Sequence, residues 1–174
     1  HTVSKLFKNW IIRLDKKYFE KYVYYVDNKV DQITNEIKQN VNYFFHELDV
    51  DKLIKKISQD NLDVLIYLDI GMKPKIQILS SLRLAPIQCN TWGHPVTSGF
   101  NNIDYFFSSE LMESRNLRKH YSEKLIKLPN LGINYDFPNL YNIKKPNISN
   151  KSNNTIFLNL QSLFKLLPQD DHIY

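Results

Sequence analysis

Cysteine is nearly absent from this sequence: Cys89 is the only one among 174 residues. A single thiol cannot build an intrachain disulfide scaffold or a thiolate metal cluster, and it suits a reducing compartment. Glycine is also scarce, with four residues, which leaves little for a glycine-built architecture or a Gly-rich phosphate loop. Long apolar runs are missing. The longest, Val64 to Leu68, is far too short to cross a bilayer. No basic-then-apolar leader opens the chain. It starts on His1 and closes on Gln169 to Tyr174, so both ends read as cuts through a longer protein. What is present is ordinary globular usage, 43% hydrophobic and 24% charged, which excludes disorder and fibrous repeats. The 23 basic against 18 acidic residues leave a net charge of +5, spread without a stripe of Arg and aromatics. That pattern argues against a nucleic-acid partner. A soluble cytoplasmic protein is the expectation.

Periodicity then organises the chain. Val3, Leu6, Phe7, Trp10, Ile11 and Leu14 recur at helical spacing. Tyr22 to Val26 reads as a strand, Val30 to Val41 as a helix and Asn42 to Phe45 as a short strand. Asp49 caps a helix carrying Leu53, Ile54 and Ile57. Val64 to Leu68 has the continuous apolar pattern of a parallel strand buried on both faces. Pro74 starts a helix through Leu82. Strands follow at 85–89, 103–107 and 124–128, with a loop over 93–99 and a helix over 110–120. The alternation predicts a doubly wound α/β layer over residues 2 to about 130. Residues 134–154 are rich in Asn, Pro and Lys and read as a linker. Thr155 to Leu160 reads as the first strand of a second α/β domain, with a helix beginning near Pro168.

Three features suggest chemistry. Asp49-Val50-Asp51 is a DxD triplet, a pattern that can hold a divalent cation against a sugar-nucleotide diphosphate. Here it sits where acids favour the positive end of a helix, and the helix-start reading is preferred. His1, His46, His94, His120 and His172 show no metal-binding spacing, so no metal site is assigned. Gly93-His94-Pro95-Val96-Thr97-Ser98-Gly99 offers N–H groups, hydroxyls and an imidazole after a strand, where open α/β sheets bind ligands. It is either a ligand site or a tight turn. Lys165 follows the last strand, where a Lys can meet a phosphate at a helix start.

The ordered run Leu84-Ala85-Pro86-Ile87-Gln88, Trp92 to Gly99, Ile103-Asp104-Tyr105 and Tyr121-Ser122-Glu123-Lys124-Leu125 resembles the catalytic region of the O-GlcNAc transferase and SPINDLY family, glycosyltransferase family 41. His1 to Leu6 is similar to the family segment that opens on an active-site His. Gln161-Ser162-Leu163-Phe164-Lys165 resembles the stretch ending in a diphosphate-binding Lys. His94 stands where animal members carry Tyr and where bacterial relatives, including ones resembling N-glucosyltransferases, carry His.

The resemblance implies a GT-B-like fold. Residues 1–133 would form a Rossmann-like acceptor-side lobe, 134–154 a linker and 155–174 the start of the nucleotide-sugar lobe. It implies an inverting transferase that moves GlcNAc from UDP-GlcNAc to Ser or Thr of proteins, with no metal or other cofactor. Tetratricopeptide repeats would lie upstream. His1 and Lys165 are the implied catalytic residues; Asp60 is a weaker proton-acceptor candidate, for which the reading as a helix-end surface acid is preferred. Gly93, His94, Pro95, Thr97 and Gln161 are the implied donor contacts. Residues 1–174 alone are expected to be inactive. The alternatives are a non-catalytic α/β interaction module of the same fold, or a relative using UDP-glucose or GDP-fucose.

Overall fold

The computed structural model describes residues 2–113, 117–134, 136, 144 and 158–173. The chain divides into two compact units, His1–Phe137 and Pro138–Tyr174. Among the described residues no helix is long and apolar enough to cross a membrane.

Four helices form in the first unit where the spacing predicts them. α1 spans Thr2–Arg13 and buries Phe7, whose ring meets Trp10 edge-on at 5.0 Å and Trp92 at 5.2 Å. α2, Gln32–Gln39, starts from Asp31, whose carboxylate accepts the Thr34 N–H at 2.8 Å in a capping box. α3, Val50–Gln59, starts from Asp49, which accepts the Lys52 N–H at 3.0 Å. The DxD triplet thus supplies a cap and a first-turn acid. α4, Pro74–Ser80, opens on its proline.

Among the described residues six parallel strands form two sheets. β1, Tyr22–Tyr25, pairs with β2, Tyr43–His46, and the Tyr22 and Tyr43 rings stack at 4.5 Å. β3, β4, β5 and β6 span Val64–Tyr67, Ile87–Thr91, Tyr105–Ser109 and Lys124–Leu128, and pair in that order. The core gathers Leu53 and Ile57 of α3, Leu65 and Tyr67 of β3, Ile70, Leu79 of α4, Ala85 and Ile103; Tyr24, Val26 and Phe45 pack against it.

Several expectations are corrected. The single layer is two hydrogen-bonded sheets, with β1 and β2 separate from the other four. β3 is not buried on both faces: Leu65 and Tyr67 are buried, while Val64 and Ile66 remain 45% and 41% exposed. β4 and β5 each begin two residues later than predicted. Ala85 and Ile103 are core loop residues, and the strands instead end on buried polar groups, Asn90, Thr91, Ser108 and Ser109. The helix expected over 110–120 is a turn after β5 and a 3-10 turn at Leu117–His120; residues 114–116 lie outside the described residues.

In the second unit the strand expected over 155–160 does not form at Leu158, Asn159 or Leu160, and 155–157 lie outside the described residues. Leu158 and Leu160 are exposed; a strand needs neighbours to pair with and a face to bury. The helix expected near Pro168 is a 3-10 turn, Pro168–Ile173.

Candidate functional site

The 93–99 loop singled out in the sequence follows β4 and packs against the end of β3. Parallel strands deliver the loops of successive units to their C-terminal edge, the usual ligand-binding side of such sheets. There the Thr91 hydroxyl donates to the Leu68 carbonyl at 2.9 Å. The chain then passes so close to β3 that a Cβ at residue 93 would lie 2.0 Å from the same oxygen, so Gly93 is sterically required. Gly71, with φ +104°, serves the facing loop: a Cβ there would lie 2.7 Å from His94 Cδ2. Two glycines therefore let the half-buried His94 imidazole settle over the end of β3.

Charged groups surround it. Burial pushes the Asp69 carboxyl up from its ordinary pKa, against the pull of Lys73 and His94, and Asp27 adds to the rise. The Lys73 ammonium bonds Asp27 at 2.5 Å and holds that carboxyl below the usual range.

The rest of the loop is tied down by one buried carboxylate. Glu123 accepts the Ser98 N–H at 2.7 Å, the Ser98 hydroxyl, and the Thr97 hydroxyl at 2.7 Å. Burial alone would raise its pKa, but the hydrogen bonds from Ser98 and Thr97 outweigh it and hold the group low. The Ser122 N–H returns to Thr97 Oγ1 at 3.1 Å. The half-buried Thr97 hydroxyl thus bonds both Glu123 and Ser122, while Pro95 and Val96 face solvent.

The structure brings Gly93, His94, Pro95 and Thr97 into this one loop and leaves Asp60 apart from it. Asp60 ends α3, ahead of β3, whereas His94 follows β4, which runs parallel to β3. Its carboxylate accepts the Tyr24 hydroxyl at 2.6 Å and bonds Lys56. Burial raises its pKa, and the bonds from Lys56 and Tyr24 bring it below the usual range. His1 lies outside the described residues. In the second unit, Lys165 is exposed at the end of a 3-10 turn, its N–H bonded to the Ser162 carbonyl at 2.9 Å. Gln161 is exposed, its N–H bonded to Asn159 Oδ1 at 3.0 Å.

Sequence reasoning missed Asp69, Gly71 and the anchoring role of Glu123. The first two carry a signal, since an acid and a glycine directly follow the apolar run of β3. Glu123 lies in the Tyr121–Leu125 run, but that run does not show its partners, which lie 25 residues away for Ser98 and 26 for Thr97.

Comparison with known proteins identifies the family and the fold. The family model described as glycosyl transferase family 41 matches residues 1–166. A protein named as a probable UDP-N-acetylglucosamine–peptide N-acetylglucosaminyltransferase, SEC of Arabidopsis thaliana, is 36% identical over 89 residues, 48% of this chain and 9% of that protein. The UDP-N-acetylglucosamine–peptide N-acetylglucosaminyltransferase of Caenorhabditis elegans is 28% identical over 135 residues, 74% of this chain and 12% of that protein. A solved structure of a mutant O-GlcNAc transferase from Thermobaculum terrenum superposes with a TM-score of 0.71 at 20% identity, covering 76% of this chain and 26% of that one. The fold is thus the α/β, Rossmann-like arrangement of that GT-B-like structure.

Proposed function

Because the chain belongs to glycosyltransferase family 41, we propose that it is part of an enzyme that transfers a sugar from a nucleotide diphosphate to a protein. The observation that carries this reading is the family match, which spans both the His94 loop and Lys165. The sugar is GlcNAc, the donor UDP-GlcNAc and the acceptor a Ser or Thr hydroxyl. The acceptor oxygen attacks the anomeric carbon with inversion. The carbon–oxygen bond to the diphosphate breaks, the diphosphate leaves with the bonding electrons, and the hydroxyl proton passes to a base.

Two charges need handling, and the chain offers groups for each. Lys165 balances the diphosphate as its negative charge grows. His1 takes the proton or orients the acceptor, roles an imidazole fills near neutral pH. Gly93, His94, Pro95 and Thr97 line the sugar side and Gln161 contacts the donor. The hydrogen bonds from the loop to Glu123 support this reading, because a loop fixed before the donor arrives loses less entropy on binding. No metal is assigned a role. Tetratricopeptide repeats upstream would present the acceptor, and the whole would work in the cytoplasm. Residues 1–174 alone would not turn over, since they span only 9% and 12% of the two curated relatives.

The test uses the intact parent protein and an acceptor protein, with UDP-GlcNAc, UDP-glucose and GDP-fucose in parallel arms. Mass spectrometry of the acceptor should show an N-acetylhexosamine addition with the first donor alone. Addition from another donor would replace the assigned sugar. Addition from none would favour the non-catalytic interaction module.

A further inference from the structure

Asp69 is a half-buried acid with no partner for its carboxylate. Every other buried or half-buried carboxylate among the described residues accepts at least one hydrogen bond. Asp27 does so from Lys73, Asp60 from Tyr24, Asp104 from the Gln88 N–H, Glu113 from Ser108 and Glu123 from Ser98. The Asp69 carboxylate accepts none and makes no ion pair among these residues. Withdrawing a carboxylate from water without a partner costs stability, so packing gives no reason for an acid here.

The backbone fixes its place. Asp69 follows β3 by two residues, at the C-terminal end of the sheet, the side on which ligands bind. The Met72 N–H closes a turn on the Asp69 carbonyl at 3.2 Å. Ile70, only 3% exposed, sinks from that turn into the core. Gly71, at φ +104°, lets the turn lie against the His94 ring, whose Cδ2 and Nε2 atoms face it. The acid is thus held on a rigid turn beside the loop proposed to line the sugar side. Burial disfavours its charged form, and Asp27, after β1, does the same. Lys73, ahead of α4, and His94, after β4, favour the charged form. Burial prevails and the pKa is raised. A carboxylate raised in this way binds a proton more strongly than an exposed one, which suits a base.

We propose that Asp69 is the catalytic base of the transfer, its carboxylate taking the proton of the acceptor hydroxyl as that oxygen attacks the sugar. The oxygen forms its bond to the anomeric carbon and keeps the electrons of the broken O–H bond. The diphosphate departs with the electrons of the carbon–oxygen bond, and the proton ends on an Asp69 oxygen. His1 is then left with the orienting role. Asp60 is excluded from the step by Lys56 and Tyr24, and Asp27 by Lys73. The assignment rests on the transferase reading and names the base that this reading requires.

The test compares wild type, Asp69→Asn and Asp69→Glu in the intact parent protein, with UDP-GlcNAc and an acceptor protein. Asp69→Asn should lower kcat about 10²–10⁴-fold and leave the KM for UDP-GlcNAc nearly unchanged. It should also melt at or above wild type at neutral pH, because an amide of the same shape removes a partnerless buried charge. Asp69→Glu, which keeps the carboxylate, should recover part of the rate. The wild-type rate should fall toward acid as the carboxylate takes up a proton, and Asp69→Asn should lack that acid limb. Near-normal kcat in Asp69→Asn, or a higher KM with kcat intact, would overturn this assignment while leaving the transferase reading in place. Asp69→Asn melting well below wild type, or failing to fold, would overturn it as well, since it would make the carboxylate a structural group. A wild-type protein that transfers no sugar would overturn both readings.

Discussion

The imidazole of His94 occupies the space that a side chain at residue 71 would need, with a Cβ there only 2.7 Å from His94 Cδ2. Gly71→Ala therefore does two things: it strains a backbone at φ +104° and it displaces His94. Gly99 has φ +71° but open space around its missing Cβ, so Gly99→Ala carries backbone strain alone. Such strain costs about 1–3 kcal/mol. Gly71→Ala should lose more stability than Gly99→Ala and show the larger fall in sugar transfer by the intact protein. Melting temperatures and turnover of both variants check this; equal effects would mean that the His94 contact has no consequence.

Glu123 holds the loop from beneath. Its folded pKa lies below the ordinary value because the bonds from Ser98 and Thr97 outweigh burial. A depressed carboxylate contributes stability that is present above its unfolded pKa and lost as pH falls through the folded one. Glu123→Ala should cost about 2–3 kcal/mol at neutral pH. The difference in stability between wild type and Glu123→Gln should shrink below about pH 4, the ordinary glutamate range. Urea melts of the three proteins from pH 3 to 7 supply the measurement; a difference unchanged across that range would contradict the assignment.

Asp104 and Arg83 form a two-pronged pair at 2.5 and 3.1 Å, yet the two residues should not matter equally. The pair is partly exposed, so Arg83→Ala should cost less than about 1 kcal/mol. Asp104 also accepts the N–H of buried Gln88 at 2.8 Å. Asp104→Ala strands that donor and should cost about 1–3 kcal/mol. Denaturant midpoints of the two variants decide, and an equal loss would show that the ion pair itself carries the energy.

Much of this arrangement could be read in advance where the signal is local. Asp49 and Pro74 mark helix starts through caps, and α1 follows from apolar spacing. The bounds of β4 and β5 could not be read from apolar runs, because Asn90, Thr91, Ser108 and Ser109 are buried strand residues. Apolar content marks what is buried, and here loop residues such as Ala85 and Ile103 are buried too. The glycine-bearing loop was visible as a candidate. Its contact with Gly71 and its anchoring to Glu123 are tertiary, set by strand pairing rather than by spacing along the chain.

Asp60 was a candidate proton acceptor, and its partners give a different expectation. Lys56 and the Tyr24 hydroxyl engage its carboxylate at the end of α3. Asp60→Asn should lower the melting temperature while changing turnover little. A collapse of turnover with an unchanged melt would return Asp60 to the reaction.

The central claim is that Lys165 answers the negative charge of the leaving diphosphate. Steady-state transfer and thermal melting of the intact protein, compared for wild type, Lys165→Ala and Lys165→Arg, test it most directly. Removing one preorganised charge partner costs about 3–4 kcal/mol in the transition state, roughly a hundred- to thousandfold in rate. Lys165 is exposed, so its loss should leave the melting temperature nearly unchanged. Arg should restore part of the rate, because a planar fork does not reproduce a compact ammonium. A Lys165→Ala protein that melts normally and transfers sugar at a near-normal rate would contradict the claim.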